Sequence, residues 1–302
     1  MSTSTEALAG AGSAAEIPSA TAAAPCDAAG ADLDRLDDRL LELLAARVAA
    51  GMADAAAGGL RPGQEAAILR RLVGQRQGAL APSAIIAIWR EIFAASLAQR
   101  QAALVAVCDP AMDGRFQAAA REYLGALTPM RVYRGPAQAI GEVVDGRASA
   151  AVLPLPGEAP ADGSSGPGWW PGLLQQNTKG RIHVVARLPV WTARPEGAPS
   201  VQAVIIANRP ADPSGHDIGL LALETDPRVS LGTLSQAVTA AGFTPLSALV
   251  NRPAGVPIAQ FLLEVDGFVA ADDPRLAHIT GLAAPALVVG AYAVAISEEF
   301  LE

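Results

Sequence analysis

The chain contains few of the residues that build metal sites and disulfide frameworks. Its two cysteines, Cys26 and Cys108, are too few for a framework of disulfides in a chain of 302 residues. Its three histidines, His183, His216 and His278, are scattered without the spacing of metal ligands. We therefore expect no metal site, and no motif in the sequence predicts another cofactor.

Positive charge and long apolar runs are scarce as well. The formal net charge of −8 argues against a nucleic-acid-binding protein, which would carry a basic surface. No apolar run reaches the length of a membrane span, so no membrane partner is expected. Residues 1–30 hold no Lys or Arg and lack the compact apolar run of a signal peptide. We expect a disordered tail there and a cytoplasmic protein.

Aromatic residues make up 4% of the chain, whereas hydrophobic residues make up 51%, many of them alanine. This composition predicts cores that are built from small aliphatic side chains. The length is sufficient for two or more domains.

Three consecutive segments between Leu33 and Gln101 show the periodicity of amphipathic helices. The second segment begins at Pro62-Gly63 and the third at Pro82-Ser83, residues that favour helix N-termini. The apolar stripes are, in chain order, Leu36, Leu40, Leu43, Leu44 and Val48; Ile68, Leu69 and Leu72; and Ile85, Ile88, Trp89, Ile92 and Phe93.

Four polar residues share these apolar faces: Arg47, Glu65, Ser96 and Arg100. A buried charge is costly unless it is paired and hydrogen-bonded. One interpretation is a salt bridge between Arg47 and Glu65, with Arg100 reaching solvent near a helix end. The other is an anion site inside a helical bundle, because facing helices commonly build ligand pockets.

The segments LDRLDDRLLELLAARVA (33–49), PGQEAAILRRL (62–72) and IWREIFAASLAQRQ (88–101) resemble, in this order, the all-helical (type II) chorismate mutases. The resemblance implies a three-helix bundle in an intertwined homodimer. It also implies a function, the rearrangement of chorismate to prephenate in the shikimate pathway of aromatic amino-acid (phenylalanine and tyrosine) biosynthesis. Arg47, Glu65 and Ser96 match catalytic residues of that family.

The sequence also departs from the family pattern at positions that carry charge. Gly30, Gly58 and Gln64 stand where the family has cations, and Arg100 replaces a glutamine. The reaction is a pericyclic rearrangement of a dicarboxylate, so the enzyme must clamp two carboxylates and stabilise charge on the ether oxygen. We predict Arg100 as the donor to the ether oxygen. Arg61 and Gln64 are predicted to bind the substrate, with Arg61 holding a carboxylate.

Strand-like and helical segments alternate between residues 103 and 153, which predicts a parallel α/β lobe. The run GRASAAVLP (146–154) resembles a prephenate dehydratase motif but lacks its acidic-amide pair. Aligned on Arg181, the catalytic threonine of that family falls on Gly180, so we expect a degenerate region without dehydratase activity. Trp169 and Trp170 follow in a Gly/Pro/Ser loop, either as a binding lid or packed on the domain, and packing is favoured.

From Ile218 onward the chain resembles an ACT domain, a small βαββαβ module that binds amino acids. The resemblance lies in LGTLSQAV (231–238) and ALVNRP (248–253). It implies a phenylalanine or tyrosine effector site at Gly232, Leu234, Asn251 and Arg252, where a helix N-terminus suits a carboxylate. The alternative is an ACT fold that serves only for dimerisation.

The sequence thus predicts a tail (1–30), a helical chorismate mutase-like domain (31–101), a degenerate dehydratase-like α/β region (102–216) and an ACT-like domain (217–302). The predicted function is that of a homodimeric chorismate mutase. The alternatives are a catalytically dead pseudoenzyme that binds an aromatic metabolite or a partner enzyme, and a dimerisation scaffold. Two or more arginines that converge in the bundle favour an enzyme or dianion binder, whereas a neutral bundle favours a scaffold.

Overall fold

The computed structural model describes residues 28–53, 59–99, 104–157, 168–177, 182–194, 196–253 and 255–297. Most of the predicted tail, residues 1–27, lies outside the described residues. The described chain belongs to two compact units that divide between Ala49 and Ala50. None of the helices in the described ranges is long and apolar enough to cross a membrane.

Seven α-helices are described, and most begin where the sequence places a proline or a glycine. The helices are α1 (Ala28–Ala53), α2 (Pro62–Gly74), α3 (Pro82–Ala98), α4 (Arg115–Leu124), α5 (Pro136–Val144), α6 (Pro171–Asn177) and α7 (Leu231–Ala240). A short 3-10 helix follows at Pro274–His278. The predicted starts of α2 and α3 are confirmed, and in both helices proline occupies the first turn, where its missing N–H costs nothing.

Nine strands form one mixed sheet in the order β2-β1-β3-β5-β4-β9-β6-β8-β7. The strands are β1 (Val105–Cys108), β2 (Met130–Tyr133), β3 (Ala150–Pro154), β4 (His183–Leu188), β5 (Ala203–Ala207), β6 (Asp217–Thr225), β7 (Pro245–Asn251), β8 (Ala259–Asp266) and β9 (Leu287–Ala293). The predicted parallel pairing is confirmed for β1, β2 and β3. β5 runs antiparallel to β3, and this makes the sheet mixed.

The sheet continues across the boundary that the sequence predicts between residues 216 and 217. β4 pairs in parallel with β9 through Val184 and Gly290. A Cβ at Gly290 would lie 2.1 Å from the carbonyl oxygen of Val184, so this approach requires glycine. The segment from β6 to β9 has the order β-α-β-β-β, with the 3-10 helix before its last strand. Its assignment as an ACT domain stays a prediction.

Helices cover both faces of the sheet. α4 contributes to the apolar cluster on one face, and α5 contributes to the cluster on the other. Trp169 and Trp170 are buried in the same cluster as α5, and the indole nitrogen of Trp169 donates to the carbonyl of Pro154. Of the two interpretations of this tryptophan pair, packing on the domain is therefore the observed one.

Within the second unit, α2 and α3 pack on the α/β part through a cluster that includes Trp191 and Ile296. Arg70 of α2 reinforces this contact. Its guanidinium donates to the Ser214 side chain and to the carbonyls of Ser214, His216 and Val294. Burial lowers the pKa of Arg70, and the nearby Asp217 opposes that effect.

Candidate active site

Arg47 lies on α1, in the first unit, and its side chain is half-buried. The leucines that share its stripe are exposed in the single chain: Leu36 and Leu40 are each 56% exposed, and Leu43 is 59% exposed. The sequence placed this stripe inward. An amphipathic helix whose apolar face remains open in one chain is typical of a surface that a partner covers.

The first turn of α2 brings together Arg61, Gln64 and Glu65. Arg61, at the helix N-cap, provides no side-chain cap, and Asp212 provides it instead. The Asp212 carboxylate accepts from the backbone N–H of Gly63 at 3.1 Å and of Gln64 at 2.8 Å, and it lies 4.0 Å from Nε of Arg61. The helix N-terminus and Arg61 thus both interact with a carboxylate of the chain itself, that of Asp212.

Glu65 forms an ion pair with Arg90 of α3, with 2.7 Å between Oε2 and Nη1. The Arg90 side chain is 2% exposed and that of Glu65 is 16% exposed, so the pair is largely removed from water. The sequence interpretation did not include Arg90. The spacing of Ile86, Arg90 and Phe93 at i, i+4 and i+7, which marks a second buried face of α3, is the signal that identifies it.

The Arg90 guanidinium also lies over the ring of Tyr123 in α4, with 3.8 Å from its central carbon to the ring centroid. This contact is a cation–π interaction in a desolvated position. Burial raises the pKa of Tyr123, and the positive charge of Arg90 opposes the shift. α2, α3 and α4 are therefore joined through one arginine.

The remaining catalytic residues predicted in the third segment are Ser96 and Arg100. Ser96 is half-buried and donates its hydroxyl to the carbonyl of Ile92 in its own helix, at 2.8 Å. Arg100 lies outside the described residues, as does Gly58. Ile88, which the periodicity placed inward, is 47% exposed, because the buried face of α3 consists of Ile85, Ile86, Arg90 and Phe93.

The predicted effector residues lie around the start of α7 and the end of β7. The N-cap Ser230 accepts from the N–H of Thr233, so this helix N-terminus is already capped. Arg252 donates to the carbonyl of Val229 at 3.5 Å, and Asn251 donates to the side chain of Gln260. The other two predicted effector residues differ in exposure: Gly232 is exposed, whereas Leu234 is buried in the core. Leu234 therefore presents no side chain to a ligand.

The described residues contain no group of three or more His, Cys, Asp or Glu side chains that would hold a metal ion. Gly180 and Arg181, which bear on the dehydratase motif, lie outside the described ranges.

The family comparison covers the helical part of the chain. Residues 31–101 match the family model of chorismate mutase type II. This part of the chain is a chorismate mutase type II domain. The mutase domain takes in most of α1 and all of α2 and α3, so the buried Glu65–Arg90 pair lies inside it.

The curated proteins contain no significant match to the chain. Solved structures that are similar include GqqA, described as a novel type of quorum-quenching acylase (18% identity, TM-score 0.45, 65% of this chain and 96% of that chain). The prephenate dehydratase from Streptococcus mutans has 14% identity, a TM-score of 0.45 and coverage of 64% and 98%. That from Arthrobacter aurescens, in complex with L-Phe, has 14% identity, a TM-score of 0.42 and coverage of 64% and 90%. These likenesses assign no activity to the chain.

Proposed function

We propose that the protein is a chorismate mutase that rearranges chorismate to prephenate. The observation that carries the proposal is the match of residues 31–101 to chorismate mutase type II, with the helices in the expected order. The shikimate-pathway role in phenylalanine and tyrosine formation, and a cytoplasmic location, belong to the same proposal. They rest on the family resemblance alone.

The reaction needs binding and electrostatic stabilisation but no nucleophile and no proton transfer. In the proposal, Arg47 binds a carboxylate of chorismate, because a guanidinium matches a carboxylate in shape and charge. Glu65 accepts a hydrogen bond from the hydroxyl group of chorismate. Arg90 is a positioning residue, since its 2.7 Å ion pair fixes the Glu65 carboxylate. Ser96 of α3 completes the proposed site, together with Arg100, which follows it in the sequence.

The proposed enzyme is a homodimer in which α1 of one chain packs on a second copy. Support comes from the exposed stripe of Leu36, Leu40 and Leu43, since a contiguous apolar face of this kind marks an interaction surface. Family members dimerise by intertwining their helices, and this accounts for an apolar helix that one chain leaves open.

For the C-terminal part, we propose a regulatory module that binds phenylalanine or tyrosine. The contact between Arg252 and the carbonyl of Val229 supports it, because it holds a cation beside the start of α7. The α/β region between is proposed to lack dehydratase activity, since the family's threonine is Gly180 here.

A direct assay tests the mutase proposal. Purified protein is given chorismate, and both the loss of chorismate and the appearance of prephenate are followed. The wild type is expected to convert chorismate, and Glu65→Gln is expected to reduce kcat by roughly 10²-fold or more, as for the loss of one preorganised polar group. A circular dichroism melt shows whether the variant is folded. Equal rates in the wild type and in a folded Glu65→Gln variant contradict the proposed role of Glu65.

The contact of Asp212 favours a second candidate, a non-catalytic binding module. Asp212 occupies the α2 N-terminus beside Arg61, where a substrate carboxylate was expected. If this internal carboxylate permanently closes the site, the domain binds partners or metabolites without turnover. Asp212→Ala discriminates the two. If the wild type turns over chorismate and the rate of Asp212→Ala lies within about twofold of it, the enzyme is favoured. If only the Asp212→Ala variant turns over chorismate, the closed module is favoured.

A further inference from the structure

The buried ion pair of the mutase domain contacts a ring that lies outside that domain. Tyr123 belongs to α4, whereas the family match ends at residue 101. Its side chain is buried, and the central carbon of the Arg90 guanidinium lies 3.8 Å from the centroid of its ring. Arg90 in turn pairs with Glu65 at 2.7 Å, and all three residues belong to the second unit. The α/β region therefore contacts the partner of a proposed catalytic carboxylate.

The Arg90 guanidinium has few other contacts that fix its orientation. Its Nη1 donates to Glu65, whereas its buried Nε and Nη2 have no hydrogen-bond partner among the described residues. A group that is held by one hydrogen bond can rotate about that bond. The ring of Phe93, on the same helix, is farther away, at 5.8 Å. The Tyr123 ring is thus the nearer aromatic face, and such a face attracts a desolvated cation.

α4 is packed closely against α3 next to this contact. Oε1 of Glu91 accepts from the backbone N–H of Ala126 at 2.9 Å, directly after the end of α4. Gly125 ends the helix with a φ of 99°, and a Cβ there would lie 2.4 Å from Cβ of Ala94. The two helices approach each other so closely at this point that only glycine fits. This approach fixes the aromatic ring of α4 relative to α3.

We propose that Tyr123 is a positioning residue for the mutase reaction: its ring holds Arg90, and through Arg90 the carboxylate of Glu65, in place. This inference rests on the proposed mutase function and deepens it, because it makes α4 of the α/β region a part of the catalytic arrangement. Placement is decisive in a rearrangement that needs only binding and electrostatic stabilisation, and a displacement of about 1 Å can cost about 10²-fold in rate.

Chorismate turnover by full-length variants tests the role of the ring. Tyr123→Leu removes the aromatic face and is expected to lower kcat about tenfold or more, while KM changes less than about threefold. Tyr123→Phe keeps the face and is expected to retain kcat within about threefold. Tyr133→Leu is the matched control, because Tyr133 packs against the cluster on the opposite face of the sheet, and it should keep the wild-type rate. Circular dichroism shows whether each variant is folded, and Tyr123→Met replaces an unfolded Tyr123→Leu.

A double-mutant cycle shows whether Tyr123 acts through Arg90. In an Arg90→Met background, Tyr123→Leu is expected to change kcat by less than about twofold, whereas a general loss of stability would lower kcat by the same factor in both backgrounds. Three results overturn the inference: a folded Tyr123→Leu variant as fast as the wild type, a Tyr123→Phe variant as slow as Tyr123→Leu, or an equal loss in both backgrounds.

A wild type that does not convert chorismate contradicts the mutase proposal itself, and urea denaturation then tests the contact without turnover. Tyr123→Leu is expected to raise the equilibrium constant of unfolding, by a factor that is at least about fivefold smaller in the Arg90→Met background than in the wild-type background. Equal factors in the two backgrounds show that the ring does not hold Arg90, and they overturn the inference whether or not the protein is a mutase.

Discussion

Arg90 is a buried charge whose counter-ion lies on a neighbouring helix. Its bond to Glu65 joins α3 to α2, and its contact with Tyr123 joins α3 to α4. Such a pair contributes little net stability compared with apolar residues of the same size, but the loss of one partner leaves an uncompensated charge. The consequence of a substitution therefore depends on whether one or both partners are replaced.

Arg90→Met is expected to lower the free energy of unfolding by about 3 kcal/mol, because the largely buried Glu65 carboxylate then loses the counter-charge of Arg90. The double variant Arg90→Met/Glu65→Met is expected to be more stable than Arg90→Met alone. Urea denaturation of the two variants and the wild type checks this. Arg228→Gln is the control, since Arg228 pairs with Asp226 in the solvent, and its stability should equal that of the wild type. A double variant less stable than Arg90→Met contradicts the argument.

His183, at the start of β4, is expected to make the stability of the fold depend on pH. Burial lowers its pKa below the ordinary value of 6.5, and a hydrogen bond with Arg209 opposes this. Below 6.5 the unfolded chain binds a proton that the folded chain does not, so stability falls as the pH falls through this range. Urea denaturation at about pH 7.5 and about pH 5.5 should show that the free energy of unfolding falls less between these pH values in His183→Gln than in the wild type. His278→Gln, which alters an exposed histidine, should lose as much as the wild type.

At the scale of single elements, α2 depends on a cap from a distant part of the chain. Asp212 lies 149 residues from Gly63, yet it accepts from the N–H of both Gly63 and Gln64. A side chain at Gly63 would collide with the carbonyl of Asp212, since a Cβ there would lie 2.0 Å from that oxygen. The contact therefore fixes the start of α2 against the loop before β6.

Asp212→Ala removes this cap and is expected to lower the free energy of unfolding by about 1 kcal/mol, the usual value of an N-cap side chain. Asp212→Asn keeps one acceptor oxygen and should lower the free energy of unfolding by less. Chemical denaturation of both variants tests the order, with Asp272→Ala as an exposed aspartate control. Equal stability of Asp212→Ala and the wild type excludes Asp212 as the cap.

The elements differ in how far the sequence predicts them. The starts of α2 and α3 follow from proline, and the alternation of strands and helices between residues 103 and 153 follows from local pattern. The spacing of Ile86, Arg90 and Phe93 marks Arg90 as buried, but its pairing with Glu65, 25 residues away, has no local signature. The Asp212 cap and the pairing of β4 with β9 join residues far apart in the chain, and no periodicity records such contacts.

At the scale of the whole molecule, the open stripe of α1 leads to a prediction of oligomeric state. The wild type is expected to sediment at twice the chain mass of 30.7 kDa. Leu40→Glu places a charge in the stripe and should shift the protein toward monomer, because burying an unpaired charge is costly. Leu41→Glu is the matched control, since Leu41 is also exposed but was not assigned to the stripe. A monomeric wild type contradicts the predicted dimer.

Chorismate turnover in Arg47→Ala decides whether the helical domain catalyses the rearrangement through this arginine. Arg47 is the arginine of α1 that shares the apolar stripe, whereas Arg39 lies on the same helix outside the stripe. We expect the wild type and Arg39→Ala to convert chorismate to prephenate. We expect a loss of roughly 10²–10³-fold in Arg47→Ala. A folded wild-type dimer that leaves chorismate unchanged, or an Arg47→Ala variant as fast as Arg39→Ala, contradicts the account.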